Sequence, residues 1–171
     1  LAREAKVTMF DDRDLAETLS PLCETGAEWI QGIENLAAAQ FDQAIISPGI
    51  PADHPTVGEL RTSDVPVWGE LELGWRESGC LSIAITGTNG KTTTTELITA
   101  VLGQNQRRTL AAGNIGTPVS AIAGQSRELD VLTLEASSFQ LETIDAFRPN
   151  IAVLLNLAPD HLDRHGTMEN Y

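Results

Sequence analysis

Apolar positions in this chain fall in short runs separated by stretches with helical spacing. Lys6–Phe10 reads as a strand, and Asp14–Cys23 as a helix with Asp14 at its N-cap and Gly26 past its end. Trp29-Ile30 suggests a short strand, and Glu34–Phe41 is helical in composition. Gln43–Ile46 reads as a strand closed by the turn Ser47-Pro48-Gly49. Pro55–Thr62 predicts a helix with proline in its first turn, Pro66–Trp68 an extended segment, and Glu70–Glu77 another helix.

The pattern then sharpens. Leu81–Thr86 is an apolar strand, Gly87–Gly90 a small polar loop, and Lys91–Leu102 a helix with Leu97, Ile98, Val101 and Leu102 on one stripe. Thr109–Ala112 reads as extended, Gly113-Asn114-Ile115-Gly116 as a tight loop, and Pro118–Ala123 as the start of a helix. Asp130–Leu134 and Ile151–Leu155 are apolar without alternation, which predicts strands buried on both faces. Strands alternating with helices predict an α/β fold with mostly parallel sheets. The halves read as separate βα units, residues 1–68 and 69–171, with the boundary near Pro66–Gly69.

Charge narrows the partners. The 171 residues carry 11 Lys+Arg against 24 Asp+Glu, a net charge of −13, which argues against nucleic acid as the main partner. No stretch approaches ~18 consecutive apolar residues, so no membrane insertion is expected, and no secretory leader is visible. Cys23 and Cys80 stand alone, suiting a reducing cytoplasm or one incidental bridge rather than a disulfide framework or zinc site. The chain opens on Leu1, Leu1–Ala5 reads as the tail of a helix, and Thr167–Tyr171 as the start of one. Both ends predict a piece of a longer chain.

The sharpest local signal is Thr86-Gly87-Thr88-Asn89-Gly90-Lys91-Thr92-Thr93, between an apolar strand and a helix. Small residues there let backbone N–H groups turn inward, and the helix N-terminus adds partial positive charge. Gly87, Thr88, Asn89, Gly90, Lys91, Thr92 and Thr93 therefore form a candidate ATP-phosphate cradle. Lys91 reaches the β- and γ-phosphates and the Thr92 hydroxyl ligates Mg²⁺. The general phosphate-loop pattern wants glycine six residues before the lysine, where Ile85 stands. The bland alternative is a glycine-rich turn with a solvated lysine.

Other candidates are weaker singly. Glu135 ends an apolar strand, where a second Mg²⁺ ligand belongs; alone it reads better as a turn or capping glutamate. His161 could ligate a metal or hold a carboxylate; alone it reads better as a polar surface residue beside a helix-capping Asp160. Asn114 could aim its amide at an anion or serve as a left-handed turn residue. Asp11, Asp12 and Arg13 follow a strand end, where acidic side chains accept hydrogen bonds from a sugar or base. Ser47 could offer a hydroxyl to a phosphate. Solvated turns are the default for both segments.

Together these strings look familiar. TGTNGKTT, GNIG, LEASSFQLE and NLAPDHLDRHG, in that order, resemble the Mur ligases of peptidoglycan synthesis. FDDR near the start, and ISPGI with His54-Pro55 after it, fit the same family. The stretch Glu135–Glu142 resembles its D-glutamate-adding branch. The resemblance implies a Rossmann-like UDP-sugar-binding domain over 1–68, lacking its first strand and glycine turn. The front part of an ATP-binding central domain would occupy 69–171. It implies Lys91, Glu135 and His161 as catalytic residues, Mg²⁺ on Thr92 and Glu135 with His161 supporting a second metal site, and Asn114, Ser137 and Gln140 along the muramoyl-peptide path. It places Asp11, Asp12 and Arg13 at the uracil and Ser47 at the diphosphate.

The implied substrates are ATP, UDP-N-acetylmuramoyl-L-alanine and D-glutamate, in a monomeric enzyme of the bacterial cytoplasm. A carbamylated lysine and an amino-acid domain would lie past Tyr171, so the fragment alone is expected to be inactive. Alternatives are a sister Mur or folylpolyglutamate-type ligase, a phosphate-loop regulator without ligase chemistry, and a non-catalytic binding module.

Overall fold

The computed structural model describes residues 5–32 and 36–171. The expected helix tail at Leu1–Ala5 lies outside them except for Ala5. Glu34 and Asn35, at the head of the helical stretch expected over Glu34–Phe41, also lie outside. Within the described part of that stretch only a 3₁₀ turn forms, Ala38–Gln40. The chain packs as two compact units, Leu1–Asp42 with Asp53–Pro66, and Gln43–Ala52 with Val67–Tyr171.

In the first unit, β1 (Thr8–Asp11) pairs in parallel with β2 (Glu28–Gln31), Met9 opposite Trp29. Helix α1 (Ala16–Cys23) joins them. It begins after the expected N-cap; the Asp14 carboxylate accepts the Ala16 N–H at 3.1 Å, and Leu15 is the capping position. Helix α2 (Pro55–Thr62) starts on proline as expected, where the missing N–H costs nothing. His54 Nδ1 accepts the Thr56 N–H at 3.3 Å and caps it. Val57 and Leu60 turn inward with Ala27, Ala38 and Val65 as a small core.

In the second unit, β3 (Ala44–Ile46) pairs in parallel with β4 (Val67–Gly69), which runs into α3 (Glu70–Glu77). The main sheet contains β5 (Leu81–Thr86), β6 (Thr109–Gly113), β7 (Val131–Glu135) and β8 (Ile151–Leu154), all parallel, in the order β6-β7-β5-β8. Between the strands run α4 (Lys91–Gln104), α5 (Val119–Ile122) and α6 (Ser138–Leu141); α7 (Leu162–His165) follows β8. The α/β architecture with parallel sheets is therefore present.

Leu71 from α3, Val119 and Ile122 from α5, and Leu132 and Leu134 from β7 form the core with Ala84, Ala112 and Ala136. Each fully buried leucine contributes about 1.5–3 kcal/mol. A Cβ on Gly74 would lie 2.5 Å from the Ser120 N, so glycine permits the close contact of α3 with α5.

Two expectations about burial fail. The stripe expected to bury α4 is partly outward: Leu97 is 61% and Val101 49% exposed. Thr95 and Thr99 face the sheet instead, with the Thr99 hydroxyl 2.7 Å from that of Thr133. Each hydroxyl also bonds back to its own helix, Thr95 to the Lys91 carbonyl and Thr99 to that of Thr95, so burial leaves neither unsatisfied. The strand over Ile151–Leu155 is not buried on both faces. β8 is the sheet edge, and Ile151 and Leu154 are more than half exposed.

Candidate functional site

Parallel strands deliver their carboxyl ends to one edge of the sheet, where the connecting loops gather. Register places Ile85 of β5 and Gly113 of β6 opposite Glu135 of β7. The loop after β5, the Gly113-Asn114 turn and Glu135 thus meet at this edge.

The loop Gly87–Gly90 bends through positive φ at both ends, +137° at Gly87 and +83° at Gly90. A Cβ at Gly87 would sit 3.1 Å from the Asn156 carbonyl oxygen. Asn156, just past β8, clasps the loop. Its Oδ1 accepts the Asn89 N–H at 2.9 Å, its Nδ2 donates to the Asn89 carbonyl at 2.9 Å, and its carbonyl accepts the Thr88 N–H at 3.1 Å. Thr88 Oγ1 lies 2.9 Å from the Tyr171 hydroxyl and accepts the Ala158 N–H at 3.0 Å. Lys91, the first residue of α4, curls back and donates from Nζ to the Gly87 and Thr88 carbonyls at 2.7 and 3.0 Å. The first-turn amides of a 14-residue helix follow it, a favourable place for phosphate.

Glu135 is buried, 2% exposed. Its Oε2 accepts the Thr92 hydroxyl at 2.7 Å and its Oε1 accepts the Asn114 amide at 2.7 Å. Gly113 enables this. At φ +95° its backbone lies against the Glu135 carbonyl, where a Cβ would collide, and the Asn114 N–H donates to that carbonyl at 2.9 Å. A hydroxyl beside a carboxylate offers hard oxygen donors, the type Mg²⁺ takes together with waters and phosphates. These two residues fit the ion. Among the described residues no group of three or more His, Cys, Asp or Glu is arranged to hold a metal.

The remaining candidates sit differently. His161 precedes α7 in a left-handed conformation, φ 49°. Its ring lies 4.7 Å from that of Phe139 and its Nε2 3.6 Å from the Asp160 carboxylate. Ser137 and Gln140 form a capping box at α6: Ser137 Oγ accepts the Gln140 N–H at 3.2 Å, and Gln140 Oε1 accepts the Ser137 N–H at 3.0 Å. Thr93 is exposed in the first turn of α4.

Ser47 belongs to the second unit. Its hydroxyl accepts the Gly49 N–H at 3.3 Å and its carbonyl that of Ile50 at 2.9 Å. In the first unit, Arg13 donates from Nε and Nη2 to the two Asp11 carboxylate oxygens, each at 2.9 Å. That hydrogen bonding pulls the Asp11 pKa down to about 2. The Asp12 carbonyl accepts from Gln31 at 3.4 Å. Sequence reasoning gave no role to Asn156 or Tyr171; the position of Asn156 at the end of a strand was the available signal.

Residues 85–171 match the model of the Mur ligase middle domain. The chain belongs to the Mur ligase family. That matched stretch includes Lys91, Thr92, Asn114, Glu135, Ser137, Gln140 and His161. Among curated Mur ligases, UDP-N-acetylmuramoylalanine–D-glutamate ligase of Koribacter versatilis is 51% identical over 174 residues, covering 99% of this chain and 38% of that protein. The ligase of the same name from Acidobacterium capsulatum is 44% identical over 173 residues, with the same coverage of both. The chain therefore spans well under half the length of these relatives. The crystal structure of UDP-N-acetylmuramate:L-alanyl-γ-D-glutamyl-meso-diaminopimelate ligase from Neisseria meningitides matches 98% of this chain and 58% of its own, with a TM-score of 0.52 and 20% identity, a likeness of fold. No helix among the described residues is long and apolar enough to cross a membrane.

Proposed function

We propose that this chain is part of an ATP-dependent ligase that joins D-glutamate to UDP-N-acetylmuramoyl-L-alanine, giving ADP and phosphate. The observation that carries the reading is the Lys91–Thr92–Glu135 cluster at the carboxyl edge of the sheet, in a chain similar to ligases of that name. Residues 1–68 bind the UDP-sugar, with Asp11, Asp12 and Arg13 at the uracil and Ser47 at the diphosphate. Residues 69–171 bind ATP. The intact protein acts as a monomer in the bacterial cytoplasm.

A free carboxylate is a poor electrophile, so the γ-phosphoryl passes to the L-alanyl carboxylate and makes an acyl phosphate. The D-glutamate amine attacks that carbonyl, and phosphate leaves. For the first step the carboxylate and the phosphoryl group, both anionic, must approach to roughly 3–3.5 Å. The chain's task is placement and charge neutralisation. The loop amides and the α4 N-terminus orient the phosphates, and the Lys91 ammonium leaves the loop carbonyls to neutralise them. Thr92 and Glu135 would hold Mg²⁺, which would screen the remaining phosphate charge. Asn114 fixes the Glu135 carboxylate while its segment, with Ser137 and Gln140, borders the muramoyl-peptide path. His161 supports a second metal site.

The test uses the full-length protein with ATP, UDP-N-acetylmuramoyl-L-alanine and a panel of amino acids. Repeated turnover with ADP release should require the UDP-sugar and D-glutamate, and Lys91→Ala should remove most of it with the fold intact. In calorimetry Arg13→Ala should weaken UDP-sugar binding and leave ATP binding unchanged. Preference for another amino acid, or ADP release without the UDP-sugar, overturns the reading. The 171-residue chain alone should not turn over.

A further inference from the structure

The proposed machinery leaves out Arg164, although this side chain, only 14% exposed, is among the most fully engaged in the second unit. From α7 its Nε and Nη2 donate to the two Glu142 carboxylate oxygens at 3.2 and 2.6 Å. Nη1 donates to the Gly49 carbonyl at 3.4 Å and Nη2 to the Ile50 carbonyl at 3.2 Å. The guanidinium lies over the Phe139 ring, 4.6 Å from its centroid. One side chain thus ties the turn after β3 to α6 and α7. Glu142 is held from a second direction by His165, whose Nδ1 is 3.4 Å away and whose Nε2 lies 3.0 Å from the Ser138 hydroxyl.

We infer that Arg164 is a positioning residue for the nucleotide-sugar substrate: it sets the Ser47–Ile50 turn against α6, so that the Ser47 hydroxyl and the Ser137–Gln140 segment border one path for an anionic ligand. The inference rests on the proposed substrate roles of those residues. The turn uses its own N–H groups internally, since those of Gly49 and Ile50 both end on Ser47. Ser47 Oγ accepts one of them, which leaves its proton to donate outward. The Gly49 and Ile50 carbonyls point out of the turn instead, and both meet Arg164. A planar guanidinium serves a carboxylate and two carbonyls at once; an ammonium, a point charge with three donors, cannot span them.

The test is steady-state kinetics of full-length Arg164→Lys, with ATP and UDP-sugar varied separately. Lysine keeps the charge beside Glu142 and loses the reach to Gly49 and Ile50. KM for the UDP-sugar should rise about tenfold, the equivalent of one to two lost hydrogen bonds, with kcat and KM for ATP within about twofold. Arg164→Met should raise that KM further. Should Arg164→Lys fail to fold, Glu142→Gln takes its place; it loosens the anchor without touching the turn, and a smaller rise in the same KM is expected. An unchanged UDP-sugar KM, or a fall in kcat alone with a lowered melting midpoint, overturns the inference and leaves the proposed function standing. A wild-type enzyme that ignores the UDP-sugar overturns both.

Discussion

The Thr92 hydroxyl donates to the Glu135 carboxylate at 2.7 Å although the two residues lie 43 positions apart. One lies in the first turn of α4 behind the phosphate loop, and the other ends β7. Their meeting follows from the β5–β7 pairing, which sets Ile85 opposite Glu135. Glu135→Gln keeps a side chain of the same shape that can still accept from Asn114 and donate to Thr92. It should therefore leave the unfolding midpoint nearly unchanged while lowering turnover of the full-length enzyme by at least about 100-fold, because the charge facing the cation is gone. Near wild-type turnover would remove Glu135 from the metal site.

Gly113 tests how closely the Asn114 turn must approach β7. A methyl group there meets the Glu135 carbonyl oxygen at a φ of +95°. Gly113→Ala should cost about 2–5 kcal/mol in urea denaturation, combining backbone strain with overpacking. It should also weaken ATP·Mg²⁺ binding, since Asn114 and Glu135 shift together. Gly124→Ala is the control, because nothing lies within 4 Å of a Cβ at that position.

Glu72 is fully buried on α3. It accepts the backbone N–H groups of Asp145, Ala146 and Phe147 at 2.9–3.0 Å and the Arg76 Nε at 2.6 Å. Burial alone would raise its pKa, but these donors outweigh it, and the pKa lies below the ordinary 4.5. A depressed carboxylate stabilises the fold above its unfolded pKa, and that contribution fades as pH falls toward the folded value. Glu72→Gln should cost about 3 kcal/mol near neutrality. The gap between wild type and variant should narrow in denaturation curves taken progressively below pH 4.5. A gap independent of pH would assign the loss to packing.

Much of the local structure was legible in the sequence. Pro55–Thr62, Glu70–Glu77 and Leu81–Thr86 appear with the expected bounds, and the phosphate loop lies between strand and helix as its residues require. These features depend on neighbours in the chain: proline at a first turn, small residues at positive φ, and an apolar run flanked by polar loops. The α4 stripe failed for the opposite reason. Hydrophobic spacing assumes that the buried face is apolar, whereas α4 packs on the sheet through threonines whose hydroxyls are satisfied by carbonyls of their own helix, Thr99 meeting Thr133 of β7 as well.

The sequence by itself determined the parallel α/β layout and the residues of the loop, because backbone preference and side-chain period are local properties. Only the tertiary structure decided which distant groups meet: Glu135 with Thr92 and Asn114, Asn156 with Asn89, and Arg164 with Glu142 and the turn after β3. Those pairings depend on strand order and register. Long-range contact fixes both, and no window of a few residues contains that information.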